Sequence, residues 1–204
     1  FHFDRHAHEY DRYADVQPEM AARLAAQVRE HASRMADPVC RILEIGCGTG
    51  GLTSILASAF PDASIVAMDI SARMIKSARL KPQLSALESL GRLFFVEGDA
   101  ETIAAQWSDS FAPHGEQAGF DLIVSNAAFQ WLQSPFATTR AYARMLAEGG
   151  MLAFSTFGPG TFRQLRDSFA EAERRLGLPP VPHGQSFSGR SEWEACFAGM
   201  DGQF

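Results

Sequence analysis

The chain has 204 residues, of which 46% are hydrophobic and 21% charged, with 17 Gly and 10 Pro. These values fit one ordinary globular domain and exclude a disordered, collagenous or coiled-coil chain. The net charge of −6 argues against a nucleic-acid partner, because sequence-independent binding runs on Lys and Arg meeting phosphates. No apolar stretch approaches the length of a membrane span, so no membrane partner is expected either. Cys40, Cys47 and Cys196 form no CxxC pair, which points to reduced thiols in a cytoplasmic protein. The chain opens on Phe1 and closes on Phe204, and we expect it to be a piece of a longer protein.

The elements follow in order. Residues 1–14 are rich in His, Asp, Arg and Tyr. His2, His6, His8, Glu9 and Asp11 suffice by count for a metal site, but a solvated terminus is the expectation and no metal is assigned. Val16, Met20, Leu24 and Val28, with Ala21 and Ala25 beside them, make one stripe of an amphipathic helix that Pro38 ends. The run 41–45 is a first strand, closed at once by Gly46-Cys47-Gly48-Thr49-Gly50-Gly51, and a helix resumes at Leu52, Ile55, Leu56 and Phe60. Residues 64–69 read as a second strand ending in Asp69, and Ser71 is placed to cap the next helix, which carries Met74, Ile75 and Ala78. Leu93–Val96 is a third strand, closed by Glu97-Gly98-Asp99-Ala100. Residues 101–119 read as a short helix plus a loop. Phe120–Ser125 is a fourth strand, closed by Asn126. A helix with Phe136, Ala143 and Leu146 follows, ended by Gly149-Gly150, and Met151–Thr156 is a fifth strand. A helix over 160–176 carries the stripe Phe162, Leu165, Phe169, Ala172 and Leu176, expected to pack on the core. A last helix surrounds Trp193.

Strands that are apolar throughout and alternate with helices imply a mostly parallel sheet covered on both faces, a Rossmann-like α/β fold. Strand, glycine turn and helix is the arrangement by which such folds bind nucleotides. Gly46, Gly48 and Gly51 satisfy GxGxxG, which alone admits a dinucleotide dehydrogenase. Three acids shift the reading. Glu44 stands two residues before the first glycine, Asp69 ends the second strand, and Asp99 follows the third. Around one pocket they suit a cationic adenosine ligand better than a doubly anionic one.

Leu43-Glu44-Ile45-Gly46-Cys47-Gly48-Thr49-Gly50 resembles motif I of class I S-adenosylmethionine-dependent methyltransferases. The resemblance covers about residues 38–156. It implies S-adenosyl-L-methionine as cofactor and S-adenosyl-L-homocysteine as product. Glu44 would pair with an amino group, and Gly46, Cys47 and Gly48 would bind the cofactor. Asp69 would take the ribose hydroxyls, with Ile70 and Met74 beside it. The Asp99 side chain and the Ala100 amide would read adenine. Asn126 and Ala127 would lie near the methionine moiety.

The flanks narrow the family. Residues 3–17, the segment Asn126-Ala127-Ala128-Phe129-Gln130-Trp131-Leu132 and the run 154–165 resemble the malonyl-[acyl-carrier protein] O-methyltransferases of biotin synthesis. The resemblance implies methyl transfer to the free carboxylate of a malonyl thioester, with the acyl-carrier protein as partner. Tyr10 and Gln17 are then candidates for a lid over the cofactor. Tyr10, Phe129, Gln130 and Trp131 are candidates for the acceptor side, although core packing is the simpler expectation for Phe129. A carboxylate acceptor wants a bidentate cation. Arg163 is the candidate, ahead of Arg140, Arg144 and Arg166. No catalytic residue is assigned, because an ionised carboxylate needs no general base. The expected organisation is one domain over 1–204, with a helical lid over 1–37, a cofactor core over 38–156 and a substrate-side part over 157–204. A closing β hairpin is expected to be incomplete in this chain. Another carboxyl or carbon methyltransferase is the alternative activity, and a non-catalytic cofactor-binding protein is the alternative of a different class.

Overall fold

The computed structural model describes Arg12, residues 14–106 and residues 119–200. Tyr10, the histidine-rich start and Trp107, Pro113 and His114 lie outside the described residues. The chain divides into two compact units, the first reaching Thr156 and the second starting at Phe157.

The first unit is built on five strands: β1 (Arg41–Ile45), β2 (Ser64–Asp69), β3 (Leu93–Glu97), β4 (Phe120–Asn126) and β5 (Leu146–Ser155). Their order is β3-β2-β1-β4-β5, and every neighbouring pair is parallel. Among the described residues six α-helices accompany them: α1 (Val16–Ala32), α2 (Gly51–Ala59), α3 (Ala72–Arg79), α4 (Pro82–Ser89), α5 (Ala100–Gln106) and α6 (Pro135–Ala143). From β1 the chain moves one way along the sheet to β3, then crosses back to β4 and β5. Right-handed crossovers in opposite directions put their helices on opposite faces. The reversal also opens a crevice at the carboxyl ends of β1 and β4, where ligands of such sheets bind.

β1 is the central strand and is buried on both faces, with Ile42, Leu43 and Ile45 at 3% exposure or less. This is the all-apolar pattern expected of a parallel core strand. Helix α1 lays Ala21, Leu24, Ala25 and Val28 into the same core and packs against α2. From Val16 onward the N-terminal segment is thus anchored by its apolar face. At the opposite end of the sheet the Asp121 carboxylate accepts from the Cys40 and Arg41 amides at 2.9 and 2.7 Å, and from the Arg41 guanidinium at 3.3 Å. It ties the entrance of β1 to β4.

Several boundaries differ from the sequence expectation. α1 stops at Ala32, well before Pro38, where the Ser33 amide closes the last turn on the Arg29 carbonyl. Helix α4 was not expected at all. Pro82 opens it, and its one buried side chain, Leu84, sits over the glycine turn, 2.5 Å from where a Cβ on Gly50 would stand. α6 stops at Ala143, and Leu146 already belongs to β5. Gly149 and Gly150, expected to stop the helix, lie inside that strand at an irregularity in its pairing with β4. Gly149 has φ +72°, and a Cβ on Gly150 would stand 2.8 Å from the Phe120 carbonyl oxygen. The pair permits a bulge rather than a helix end.

The second unit holds α7 (Arg163–Leu176) and α8 (Arg190–Ala198). α7 carries the apolar stripe read from the sequence. None of its residues is buried, and Phe162, Leu165 and Leu176 are 62%, 54% and 72% exposed. Within this unit Glu173 holds His183 at 2.6 Å and His183 stacks on Phe169, which folds the following loop onto α7. Glu192 caps α8 through the Gly189 amide at 2.7 Å, and Trp193 and Cys196 are its buried face.

Candidate functional site

The site grows from the glycine turn between β1 and α2. The Gly46 and Cys47 amides both donate to the Met68 carbonyl at 2.9 Å, so the turn hangs on the end of β2. Gly46 has φ +72° and is pressed by Ala128, whose Cβ is 2.5 Å from where a Gly46 Cβ would be. Gly48, at φ +55°, faces open space, which is the room a ligand needs to approach the backbone.

Asp69 carries the turn from the other side. One carboxylate oxygen accepts from the Gly48 amide and the other from the Ser71 amide, each at 2.8 Å. The Asp69 carboxylate thus fixes the glycine turn and the start of the next helix together. Ser71 caps α3 through the Met74 amide at 3.2 Å, as the sequence suggests. Ile70 beside it is exposed. Met74 is buried at 3%, so it offers a ligand little surface.

Glu44 is the most unusual group. It lies in β1 between Ala67 of β2 and Val124 of β4 and is 2% exposed. Its Oε2 has no hydrogen-bond partner. Burial pushes its carboxyl up to about 8, with Thr53 drawing it partly back and the charge of Asp69 pushing the same way as burial. Burial likewise raises the neighbouring Cys47 thiol. A cleft of about 620 Å³, open to solvent, is lined by Glu44, Gly46, Gly48 and Asn126 with Gln17 and Ala21 of α1.

Beyond the cleft, Asp99 caps α5: its carboxylate accepts from the Glu101 amide at 3.0 Å and the Thr102 hydroxyl at 3.1 Å. Ala100, at the first turn, accepts on its carbonyl from the Tyr142 hydroxyl at 2.9 Å. Asn126 bridges three elements, taking the Ser155 hydroxyl at 2.6 Å and giving its amide to the Gln17 carbonyl at 3.0 Å. Ala127 is left-handed at φ +51°, a strained setting for a residue with a Cβ.

The aromatic segment divides. Phe129 is 1% exposed and stacks on Phe154 at 4.6 Å, so it is core rather than acceptor surface. Gln130 is buried too, and its amide is consumed by the Ala127 carbonyl and the Thr156 hydroxyl. The acceptor roles considered for these two give way to packing and loop bracing. Trp131 is 54% exposed. Arg163 opens α7 in the second unit with an exposed side chain. Two residues with evident structural parts escaped the sequence reading. Neither Tyr142 nor Glu101 carries a local sequence signal for its part.

A family model described as a methyltransferase domain matches residues 43–152. The chain belongs to the methyltransferase domain family. The matched span holds the glycine turn, all three acids and the segment from Asn126 to Trp131, and leaves Gln17 and Arg163 outside. Curated relatives extend the likeness to the flanks of this methyltransferase domain. A protein of Paenibacillus sp. named malonyl-[acyl-carrier protein] O-methyltransferase is 43% identical over 94% of this chain and 66% of its own length. One of the same name from Halalkalibacterium halodurans is 36% identical over 98% of this chain and 69% of its own. The chain thus spans about two thirds of the curated relatives it matches. Among solved structures, the plantazolicin methyltransferase BpumL in complex with SAH superposes with a TM-score of 0.65 at 16% identity, over 97% of this chain and 68% of that one. The YcgJ protein of Bacillus subtilis does so with a TM-score of 0.56 at 22% identity, over 87% and 67%. At these identities the superpositions establish the Rossmann-like methyltransferase fold.

Proposed function

We propose that the protein moves a methyl group from S-adenosyl-L-methionine to the free carboxylate of a malonyl thioester on an acyl-carrier protein, making the ester used as a primer in biotin synthesis. The observation that carries the cofactor is the buried, unpartnered Oε2 of Glu44 at the wall of the glycine cleft. A buried carboxylate oxygen without a donor calls for a cationic or N–H-bearing ligand end. The dinucleotide reading would instead set a diphosphate against Glu44 and Asp69.

The residues fit the cofactor. Glu44 would take an ammonium, Gly46 and Gly48 would admit the backbone approach, and Asp69 would take the ribose hydroxyls. Asp99 and Ala100 stand where adenine would be read. When bound, the cofactor supplies a methyl group on a cationic sulfur, which a carboxylate oxygen accepts directly. The chain's own part is placement. A malonyl carboxylate is ionised at neutral pH, so no residue need remove a proton. Orientation can lower such barriers by up to roughly 7–11 kcal/mol. Trp131 offers an exposed aromatic face to a cationic centre. The acceptor reading draws on the names of the curated relatives and on the continuity of that likeness across both flanks. The three free thiols fit a reducing, cytoplasmic setting.

The test is incubation with S-adenosylmethionine and malonyl-acyl-carrier protein, followed by intact mass. A gain of one methyl on the carrier supports the whole reading. S-adenosylhomocysteine binding without that gain refutes the acceptor. Tight NAD binding with no affinity for the homocysteine nucleoside refutes the cofactor.

A further inference from the structure

The segment from Asn126 to Ser134 joins β4 to α6 and carries the exposed Trp131. Its front end is held by the cleft itself. The Ala127 amide donates to the Ser155 carbonyl at 2.9 Å, and Gln130 closes back on the Ala127 carbonyl at 2.6 Å. Its rear end is held by a side chain from elsewhere. Glu101 accepts from the Gln133 amide on Oε2 at 3.0 Å and from the Ser134 amide on Oε1 at 2.7 Å.

This clamp replaces a missing cap. Ser134 precedes α6 but makes no capping bond with its own side chain, and Pro135 at the first helical position has no N–H. A carboxylate at a helix N-terminus also meets the positive end of the helix dipole. Glu101 belongs to the first turn of α5, and its own amide is held by Asp99. One residue therefore reaches from the turn carrying Asp99 and Ala100 to the segment carrying Trp131. Tyr142 makes a second tie between the same two elements. From α6, its buried hydroxyl donates to the Ala100 carbonyl at 2.9 Å and lies 3.4 Å from the Met68 sulfur beside Asp69.

We infer that Glu101 is a positioning residue that sets the acceptor-side segment at Trp131 by the placement of the cofactor-side turn at Asp99 and Ala100. It touches neither reactant in this role. When the turn is ordered by a ligand, the bidentate clamp carries that order to Gln133 and Ser134, and so to Trp131 two residues earlier. The inference rests on the cofactor reading above. It goes further by assigning a route through which one side of the site informs the other.

The test compares wild type with Glu101→Ala and Glu101→Gln in three measurements: S-adenosylhomocysteine affinity, the acceptor KM and kcat, and the Trp131 fluorescence change on adding S-adenosylhomocysteine. Trp131→Phe identifies which part of the emission belongs to that residue. In Glu101→Ala, S-adenosylhomocysteine affinity should stay within about twofold. The acceptor KM should rise roughly tenfold, the scale of a lost charge-assisted hydrogen bond, and the Trp131 response should vanish. Glu101→Gln keeps one acceptor oxygen and should fall between the two, which also serves if the alanine variant folds poorly. A lower Tm with acceptor KM and Trp131 response unchanged would make Glu101 a plain helix cap and overturn the inference. Wild type failing to bind S-adenosylhomocysteine would instead overturn the cofactor reading, and this inference with it.

Discussion

Glu44→Gln probes the strangest feature of the site through folding stability alone. The Glu44 carboxyl is raised from 4.5 to about 8, chiefly by burial in the central strand. Below pH 4.5 the group is protonated in both the folded and unfolded chain and contributes no pH dependence. Between pH 4.5 and 8 the unfolded chain has released the proton and the folded chain keeps it. Stability therefore falls as pH rises, by about 1.4 kcal/mol per pH unit, and levels off above pH 8. The full span is worth up to about 5 kcal/mol, of which about 4 lies between pH 5 and 8. Gln is neutral throughout and removes this slope. Urea unfolding of both proteins at pH 5, 6.5 and 8 should show the variant gaining on wild type by about 4 kcal/mol across that range. Parallel stability curves would show that Glu44 does not titrate as its burial requires. The same proton should appear in binding. If a ligand ammonium meets ionised Glu44, S-adenosylhomocysteine binding near pH 7 releases a proton. Calorimetry in buffers of different ionisation enthalpy reads that release directly.

Four further substitutions test the scaffold. Gly46→Ala adds a Cβ at φ +72° into a 2.5 Å contact with Ala128, and should cost roughly 2–5 kcal/mol in urea unfolding, left-handed strain plus overpacking. Gly48→Ala, with a similar φ but open space, should cost only about 1–2 kcal/mol of stability yet weaken S-adenosylhomocysteine binding, because the added methyl fills the approach. Equal stability losses at the two glycines would refute the contact argument. Asp69→Ala should lower both Tm and ligand affinity, the latter by roughly 1–3 kcal/mol, since its carboxylate holds the Gly48 and Ser71 amides. Unchanged affinity by calorimetry would remove it from the site. Asp121→Ala strips acceptors from two amides and a guanidinium, so stability should fall by roughly 1–3 kcal/mol while ligand affinity holds. A loss of binding there would mean that the far end of β1 shapes the cleft.

What the amino-acid sequence determines here is local and periodic. Apolar runs of strand length locate the five strands, because a buried parallel strand must be apolar on both faces. The glycine turn, the Ser71 cap and the acids at 44, 69 and 99 are legible for the same reason: each rests on chemistry within a few residues. Tertiary structure decides the rest. Whether Gly149-Gly150 ends a helix or bends a strand depends on the Phe120 carbonyl, some thirty residues away. Whether Phe129 faces substrate or core depends on Phe154. The stripe on α7 has the period of a packed helix, yet period alone does not supply a partner surface, and that face is exposed. Glu101 and Tyr142 acquire their roles from groups 32 to 42 residues distant. A side chain's reach is local in space, and only the folded sheet makes distant stretches of chain its neighbours.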